Sequence, residues 1–414
     1  MQRRDASPFD GWDLLCFHAA MPAAASPDLD TLLSRLRALA PLVEGEAAAS
    51  ERARTLTPKL VEAIVESDLM LAALPHEVAG AELSAPELMA LVEELARQDG
   101  STGWCFGMNG IVTGIAAAML PEAGRAQIFD ARAPGRTLLA GGFPPQGRAE
   151  RTGDAWTVRG HFRFGSGCRH AHAMVCTCVE IVDGAVRTQD GVLAMRSFVL
   201  LPDQIRIEDN WQAAGLEGTA SCDYHADEVR VPDELSFASG TTFAPHRGRG
   251  LYRLPLLSLA GAPHAGFALG VGRRALEEIA EHASWRQRLG SRSLLAERPA
   301  FQQGFGRANA RLRAARALVL ETLQALHEAV RRGEAVPLRA RADAAAATTN
   351  AYEAAVEAAS FAFRAGGGAV LFRSGRLQRC FRDIQAGAQH IVVSDESYER
   401  AAQVWLGVGE PQML

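Results

Sequence analysis

The sequence predicts an α+β protein in three parts: a helical N-terminal domain, a central antiparallel β-domain and a C-terminal helical bundle. Three observations predict it. Apolar residues recur at three- and four-residue steps as far as residue 136; short β-type runs broken by Gly, Asp and Pro follow; long Ala/Leu-rich amphipathic segments fill most of the remainder. The divisions fall at 1–27, a loosely ordered extension, then 28–136, 137–240 and 241–414.

A chain of 414 residues, 48% hydrophobic and 22% charged, can bury a large core in two or three such units. Its formal net charge of −5 offers no basic surface, and no apolar run reaches membrane-spanning length, so neither nucleic acid nor a membrane is an expected partner. Seven scattered cysteines fit free thiols in a reducing cytoplasm. Near the start, Arg3-Arg4 and Leu14-Leu15-Cys16-Phe17 imitate an export signal, but Asp5, Asp10 and Asp13 interrupt it, and Met21 is read as an alternative start.

The first domain opens with a stripe of Leu32, Leu33, Leu36, Leu39, Leu42 and Val43. Thr57-Pro58 and Ser84-Ala85-Pro86-Glu87 then read as helix starts, a cap with proline at the first position and a capping box. The stretch holding Gly103-Trp104-Cys105-Phe106, through Ile115 and Leu120, is almost free of charge and should be buried. β-type runs lie at 138–139, 156–158, 161–164, 174–181, 197–201, 205–207 and 229–231, and 218–223 reads as an exposed loop before the last of them. After a Gly/Pro/Arg-rich linker near 238–250, segments 256–283, 294–329 and 338–363 read as bundle helices.

Leu377, Cys380, Phe381, Ile384 and Ala388 make another helical stripe, with Arg379 and Asp383 on a separate face. Gln389-His390 ends this helix and Ser394-Asp395-Glu396 opens the next. His390 therefore sits at a break, at the C-terminal end of a helix dipole, where an imidazole suits acid–base chemistry.

No G-x-G-x-x-G cradle, Walker A sequence or G-x-S-x-G elbow occurs. Cys168, His170, His172, Cys176 and Cys178 alternate as if along one strand face; zinc needs ligands converging from separate turns, so they read as inner-face packing, and no metal is expected. Ser166, between Gly165 and Gly167 at a strand end, is a hydroxyl that a flat ligand can approach. Arg286-Gln287-Arg288-Leu289-Gly290 is either a solvated helix end or a phosphate clamp.

Together these patterns resemble the acyl-CoA dehydrogenase superfamily from about residue 28 to 406. Gly215-Leu216-Glu217-Gly218-Thr219-Ala220-Ser221, followed by Val229-Arg230-Val231-Pro232, is similar to its Gly-x-x-Gly-Thr-x-Ser loop and Val-x-Val-Pro strand end, and Arg286 to Gly290 resembles its Arg-x-x-Phe-Gly with Leu289 in place of Phe. The family's dehydrogenases carry a glutamate base after the Arg-Asp pair. Here Arg382-Asp383 leads to Gln389-His390-Ile391-Val392, so Ile391 matches the glutamate, and 251–272, where other members hold it, contains no acid.

The Arg-Asp to Gln-His spacing and the Ser-Gly-Cys-x-His-Ala of 166–171 resemble instead the two-component flavin-dependent monooxygenases, such as the hydroxyphenylacetate, phenol and dibenzothiophene oxygenases. That resemblance implies reduced FMN or FADH2 delivered by a separate NAD(P)H-dependent flavin reductase, O2 added as a C4a-hydroperoxyflavin, a small aromatic or heteroaromatic substrate, and a homotetramer built as a dimer of dimers. It implies Ser166 beside flavin N5, with Gly165, Gly167 and Ser221 in the cofactor site, and Arg286 on flavin phosphate, often across a subunit boundary. It also implies His390 beside oxygen and substrate, while Trp104, Phe106, Met108 and Asn109 are the candidate substrate wall. The rival readings are an FAD-dependent acyl-CoA dehydrogenase or oxidase with an acid from elsewhere, and a non-catalytic scaffold of the same fold.

Overall fold

A computed structural model of the chain describes residues 26–130, 132–189, 191–287, 290, 292–411 and 414. Most of the expected extension, Met21 included, and Arg288 and Leu289 of the basic motif lie outside the described residues.

Helix caps set the first domain, those at Thr57 and Ser84 as the sequence predicts. α1 (Leu29–Ala53) starts where Asp28 accepts the Thr31 N–H at 2.9 Å. α2 (Pro58–Glu66) follows its Thr57 cap, and α3 (Ala85–Gln98) opens on the Ser84/Glu87 box, with the Ser84 N–H donating to Glu87 at 2.8 Å. Each cap satisfies an N–H that the helix itself cannot. α4 (Gly100–Met119) starts at Asp99 and buries every residue except Met108, which makes it the axis of the domain; α5 (Glu122–Ile128) follows.

The strands are β1 (Leu139–Thr152), β2 (Ala155–Gly165), β3 (Ala173–Val182), β4 (Ala185–Val186), β5 (Thr188–Gln189), β6 (Val192–Leu193), β7 (Met195–Leu200), β8 (Arg206–Ile207), β9 (Cys222–Pro232) and β10 (Ser236–Ser239). The main sheet runs β10-β7-β3-β1-β2-β9-β8, with β4 on β3 and a separate β5-β6 ribbon. It is mixed, where the sequence suggested a purely antiparallel one: β1 and β3 are parallel, Leu139 opposite Ala173 and Glu150 opposite Ile181. The β1-β2 hairpin returns the chain to the end where β1 begins. The turn at 166–172 then passes to the other edge of β1, so β3 sets off in the same direction. Ser166 lies in that turn.

Residues 218–223 are buried, not the exposed loop expected from their small polar composition. They are wedged against α4, where the Cys105 thiol donates to Thr219 O at 3.6 Å, and against the Ser166 turn, where Gly167 N–H donates to the same oxygen at 2.7 Å.

The bundle comprises α6 (Leu256–Trp285), α7 (Pro299–Arg331), α8 (Leu338–Gly366), α9 (Arg376–Gly387) and α10 (Glu396–Leu406). α7 begins later than the expected residue 294 because Pro299 can occupy a first turn but not a helix interior. Several ionic ties fasten the bundle to the other parts, two of them at buried or nearly buried groups. Arg316 Nε reaches both oxygens of the buried Glu93 on α3 at 2.9 Å. On α9, Arg382 bonds Glu51 of α1 and, at 2.6 Å, Glu217, while Asp383 Oδ1 accepts the Leu216 N–H at 2.6 Å. The Arg-Asp pair of the sequence is thus a clasp joining α1, the 216–217 segment and the bundle. Among the described residues no helix is long and apolar enough to cross a membrane.

Candidate active site

Trp104 on α4 is the centre of a polar and aromatic cluster drawn from all three parts. On the β-domain side its Nε1–H donates to Ser166 Oγ at 3.0 Å. Ser166 Oγ is 2.7 Å from Ser221 Oγ, which is 2.7 Å from Thr219 Oγ1, whose hydroxyl donates to Leu216 O at 2.8 Å. All four side chains are buried. Asn109 Nδ2 holds the Ser166 carbonyl at 2.8 Å, which fixes the turn from below.

On the bundle side the Trp104 ring lies edge-on to His264 and Phe267 of α6, at 5.1 and 5.0 Å between centroids, and to His390 at 5.8 Å. His390 follows α9, and its Nδ1 accepts the Val392 N–H at 3.3 Å, so the neutral ring carries its proton on Nε2. Burial holds this imidazole down at about 4, leaving it neutral at pH 7. His264 Nδ1 lies 3.1 Å from the Tyr352 hydroxyl of α8; burial, then the neighbouring His390, pushes it well below the ordinary histidine range.

The glycines flanking Ser166 serve the protein's own packing. A Cβ on Gly165 would meet Met174 Cε at 2.9 Å, and one on Gly167, at φ +79°, would meet Asn109 Oδ1 at 2.4 Å and His170 Nε2 at 2.9 Å. Asn109 Oδ1 and both His170 ring nitrogens are buried without a hydrogen-bond partner. Unpaired polar atoms of this kind are costly in an interior and fit a site built to receive a polar planar ligand.

Ser166, Ser221, Trp104, Asn109 and His390 are therefore brought together. Phe106 is two positions from Trp104, about 200° around the helix, and packs in the main core. Met108, half-buried, shares the face of Trp104. Arg286 is exposed at the end of α6, about 33 Å along that helix from His264, and is not brought to this cluster within one chain. The Cys/His run does not share one strand face: Cys168 and His170 lie in the turn, Cys168 donating to Ala220 O at 3.1 Å, while Cys176 and Cys178 fill the β3 core. Sequence reasoning missed Thr219, Tyr352 and His264. The available signal for His264 was its being the lone ionisable residue in 256–272.

Residues 35–128 match the acyl-CoA dehydrogenase N-terminal domain family and 262–395 the acyl-CoA dehydrogenase C-terminal domain family, which fits the three-part fold and the position of the cluster between its parts. The indole-3-acetate monooxygenase of Pseudomonas putida is 30% identical over 400 residues, covering 95% of this chain and 98% of its own. The oxygenase component of the FADH2-dependent resorcinol hydroxylase of Rhizobium sp. is 27% identical over 397 residues, covering 90% and 93%. The crystal structure of 3-HSA hydroxylase from Rhodococcus sp. RHA1 has the same fold, with a TM-score of 0.85 at 23% identity over 93% of this chain and 99% of that one. Within the acyl-CoA dehydrogenase superfamily, this chain belongs to the oxygenase components of flavin-dependent monooxygenases.

Proposed function

We propose that this protein oxygenates a small aromatic or heteroaromatic substrate, using O2 and reduced FMN or FADH2 received from a separate NAD(P)H-dependent flavin reductase. Trp104 carries the reading, because one indole bonds Ser166 on one side and packs against His390 and His264 on the other. Bound reduced flavin supplies the electrons and activates O2. Ser166, backed by Ser221, would hold the ring at N5, with Gly165 and Gly167 forming the turn. His390, neutral and protonated at Nε2, would donate to the oxygen in transit or to a substrate hydroxyl. Trp104, Met108 and Asn109 line the substrate side, and their apolar surroundings exclude water.

The relatives' names, indole-3-acetate monooxygenase and resorcinol hydroxylase, support a planar aromatic substrate. A homotetramer is part of the same reading. It is supported by the exposed Trp405, Leu406 and Val408 and by the separation of Arg286 from the cluster, which leaves a phosphate role for it only at a second subunit's site. Among the described residues six free thiols, Cys105, Cys168, Cys176, Cys178, Cys222 and Cys380, support a cytoplasmic location.

The test is to mix the anaerobic reduced-flavin complex with O2 and a panel of indoles and phenols, assaying product and hydrogen peroxide together. An oxygenated aromatic product is expected. Bleaching of bound FAD by an acyl-CoA without oxygen, with no product from any aromatic, would return the protein to the dehydrogenase reading.

A further inference from the structure

We infer that the hydroxyl chain behind Ser166 has a fixed direction, and that this direction selects reduced over oxidised flavin. Thr219 and Ser221 thereby act as positioning residues that determine which oxidation state the site retains.

The direction is set by the two ends. The Trp104 indole N–H can only donate, and the Leu216 carbonyl can only accept. Three hydroxyls lie between them at successive separations of 3.0, 2.7, 2.7 and 2.8 Å, and each has one proton to give. Thr219 gives its proton to Leu216 O, so it must accept from Ser221. Ser221 has then spent its proton and must accept from Ser166. Ser166 therefore points its hydrogen away from the pocket. One of its lone pairs takes the Trp104 N–H, and the other is left to face a ligand.

Reversing Ser166 or Ser221 would set two oxygens 2.7 Å apart with no proton between them, and reversing Thr219, alone or with the other two, would leave its 2.8 Å contact with Leu216 O without one, all among buried side chains. The backbone confirms how closely the segment is held. Leu216 and Ala220 both adopt left-handed conformations, at φ 53° and 46°, that non-glycine residues rarely take, and these bracket Thr219 and turn Ser221 inward.

This inference rests on the reading of Ser166 as the N5 partner. Reduced flavin bears a hydrogen at N5, and oxidised flavin presents a lone pair there. A Ser166 that can only accept forms a bond with the first and opposes the second. Gaining one hydrogen bond in one state and losing it in the other corresponds to a preference of roughly tenfold. For an oxygenase fed by a separate reductase, this lets spent flavin leave and reduced flavin replace it.

The test is anaerobic titration of FMN and FAD, each oxidised and dithionite-reduced, against the wild type, Thr219→Val, Thr219→Ser, Ser221→Ala and Ser166→Ala. In Thr219→Val the Ser221 proton loses its acceptor and turns to Ser166, whose own proton then faces the pocket. Oxidised flavin should tighten, reduced flavin should weaken, and their affinity ratio should fall roughly tenfold. Thr219→Ser should keep the wild-type ratio. Ser221→Ala, which also strips Ser166 of its acceptor, should repeat the effect and serves if the valine variant does not fold. A purely structural role would weaken both oxidation states alike. An unchanged ratio in Thr219→Val and Ser221→Ala, with a changed ratio in Ser166→Ala, would overturn the fixed direction while leaving Ser166 at N5. An unchanged ratio in Ser166→Ala would overturn the N5 reading itself.

Discussion

His264 and His390 lie 4.2 Å apart between ring centroids, inclined at 38°. One is anchored in the bundle by the Tyr352 hydroxyl, and the other is presented by the break after α9 with its Nδ1 occupied by the Val392 N–H. Burial holds both rings neutral at pH 7, and a proton on either would oppose one on the other. What His390 can offer is its Nε2–H, a donor that is present without protonation.

The first prediction follows from that donor. His390→Ala should retain flavin and slow oxygen transfer by about 10²–10⁴-fold, whereas His390→Gln, whose amide can donate from a similar place, should recover much of the rate. Single-turnover product formation measures both. The wild-type rate should show no inflection near pH 6.5, because His390 has already lost its second proton by about 4. If the glutamine variant is as slow as alanine, a donor role is wrong.

Ser166→Ala should act on a different quantity. Losing one hydrogen bond should weaken reduced-flavin binding only about fivefold, while electrons drain from product into hydrogen peroxide. Peroxide and product are assayed per NADH consumed in the presence of the reductase. Unchanged coupling would remove Ser166 from any protective role.

The third prediction concerns the clasp. Arg382→Gln takes their shared cation from Glu51 and Glu217, leaving each with one other arginine, Arg379 and Arg373, and should cost about 1.5–3 kcal/mol of stability, read as a fall in urea midpoint. Arg382→Lys should rescue only part of it, since one ammonium cannot span both carboxylates as the guanidinium fork does. Full rescue by lysine would show that only the charge matters.

The parts of this architecture legible in the sequence were those governed by local rules. The Thr57 and Ser84 starts follow from capping chemistry, and the buried α4 from its lack of charge. Ser166 and His390 stood out because a hydroxyl between glycines and an imidazole at a helix break have little packing value. What escaped depends on contacts made at a distance. The parallel β1-β3 pairing is decided by which edge of β1 the 166–172 turn reaches. Residues 218–223 looked exposed because their hydroxyls satisfy one another only once folded. His264 resembles any core histidine until α9 places His390 against it.

The last prediction isolates Asp383. Burial, and after it the nearby Asp99, raises this carboxyl from 3.8 to about 7, against the pull of the Leu216 N–H and of Arg382 and Arg379. The sign follows from proton counts: between pH 3.8 and 7 the folded chain keeps a proton on Asp383 that the unfolded chain has released. Its contribution is therefore fully present below pH 3.8, declines as pH rises, and is exhausted once pH passes about 7. Other buried groups also titrate, the histidines among them in the opposite sense, so the comparison is with Asp383→Asn, an uncharged isostere that removes this group alone. The stability of the wild type relative to Asp383→Asn should fall by about 1.4 kcal/mol per pH unit from pH 5 to near 7 and then level off. Urea titrations of both proteins at half-unit intervals from pH 5 to 8 measure the difference. A difference that stays constant across this range would mean that Arg379 and Arg382 keep Asp383 ionised throughout, and that the clasp is a full salt bridge at every pH where the protein is folded.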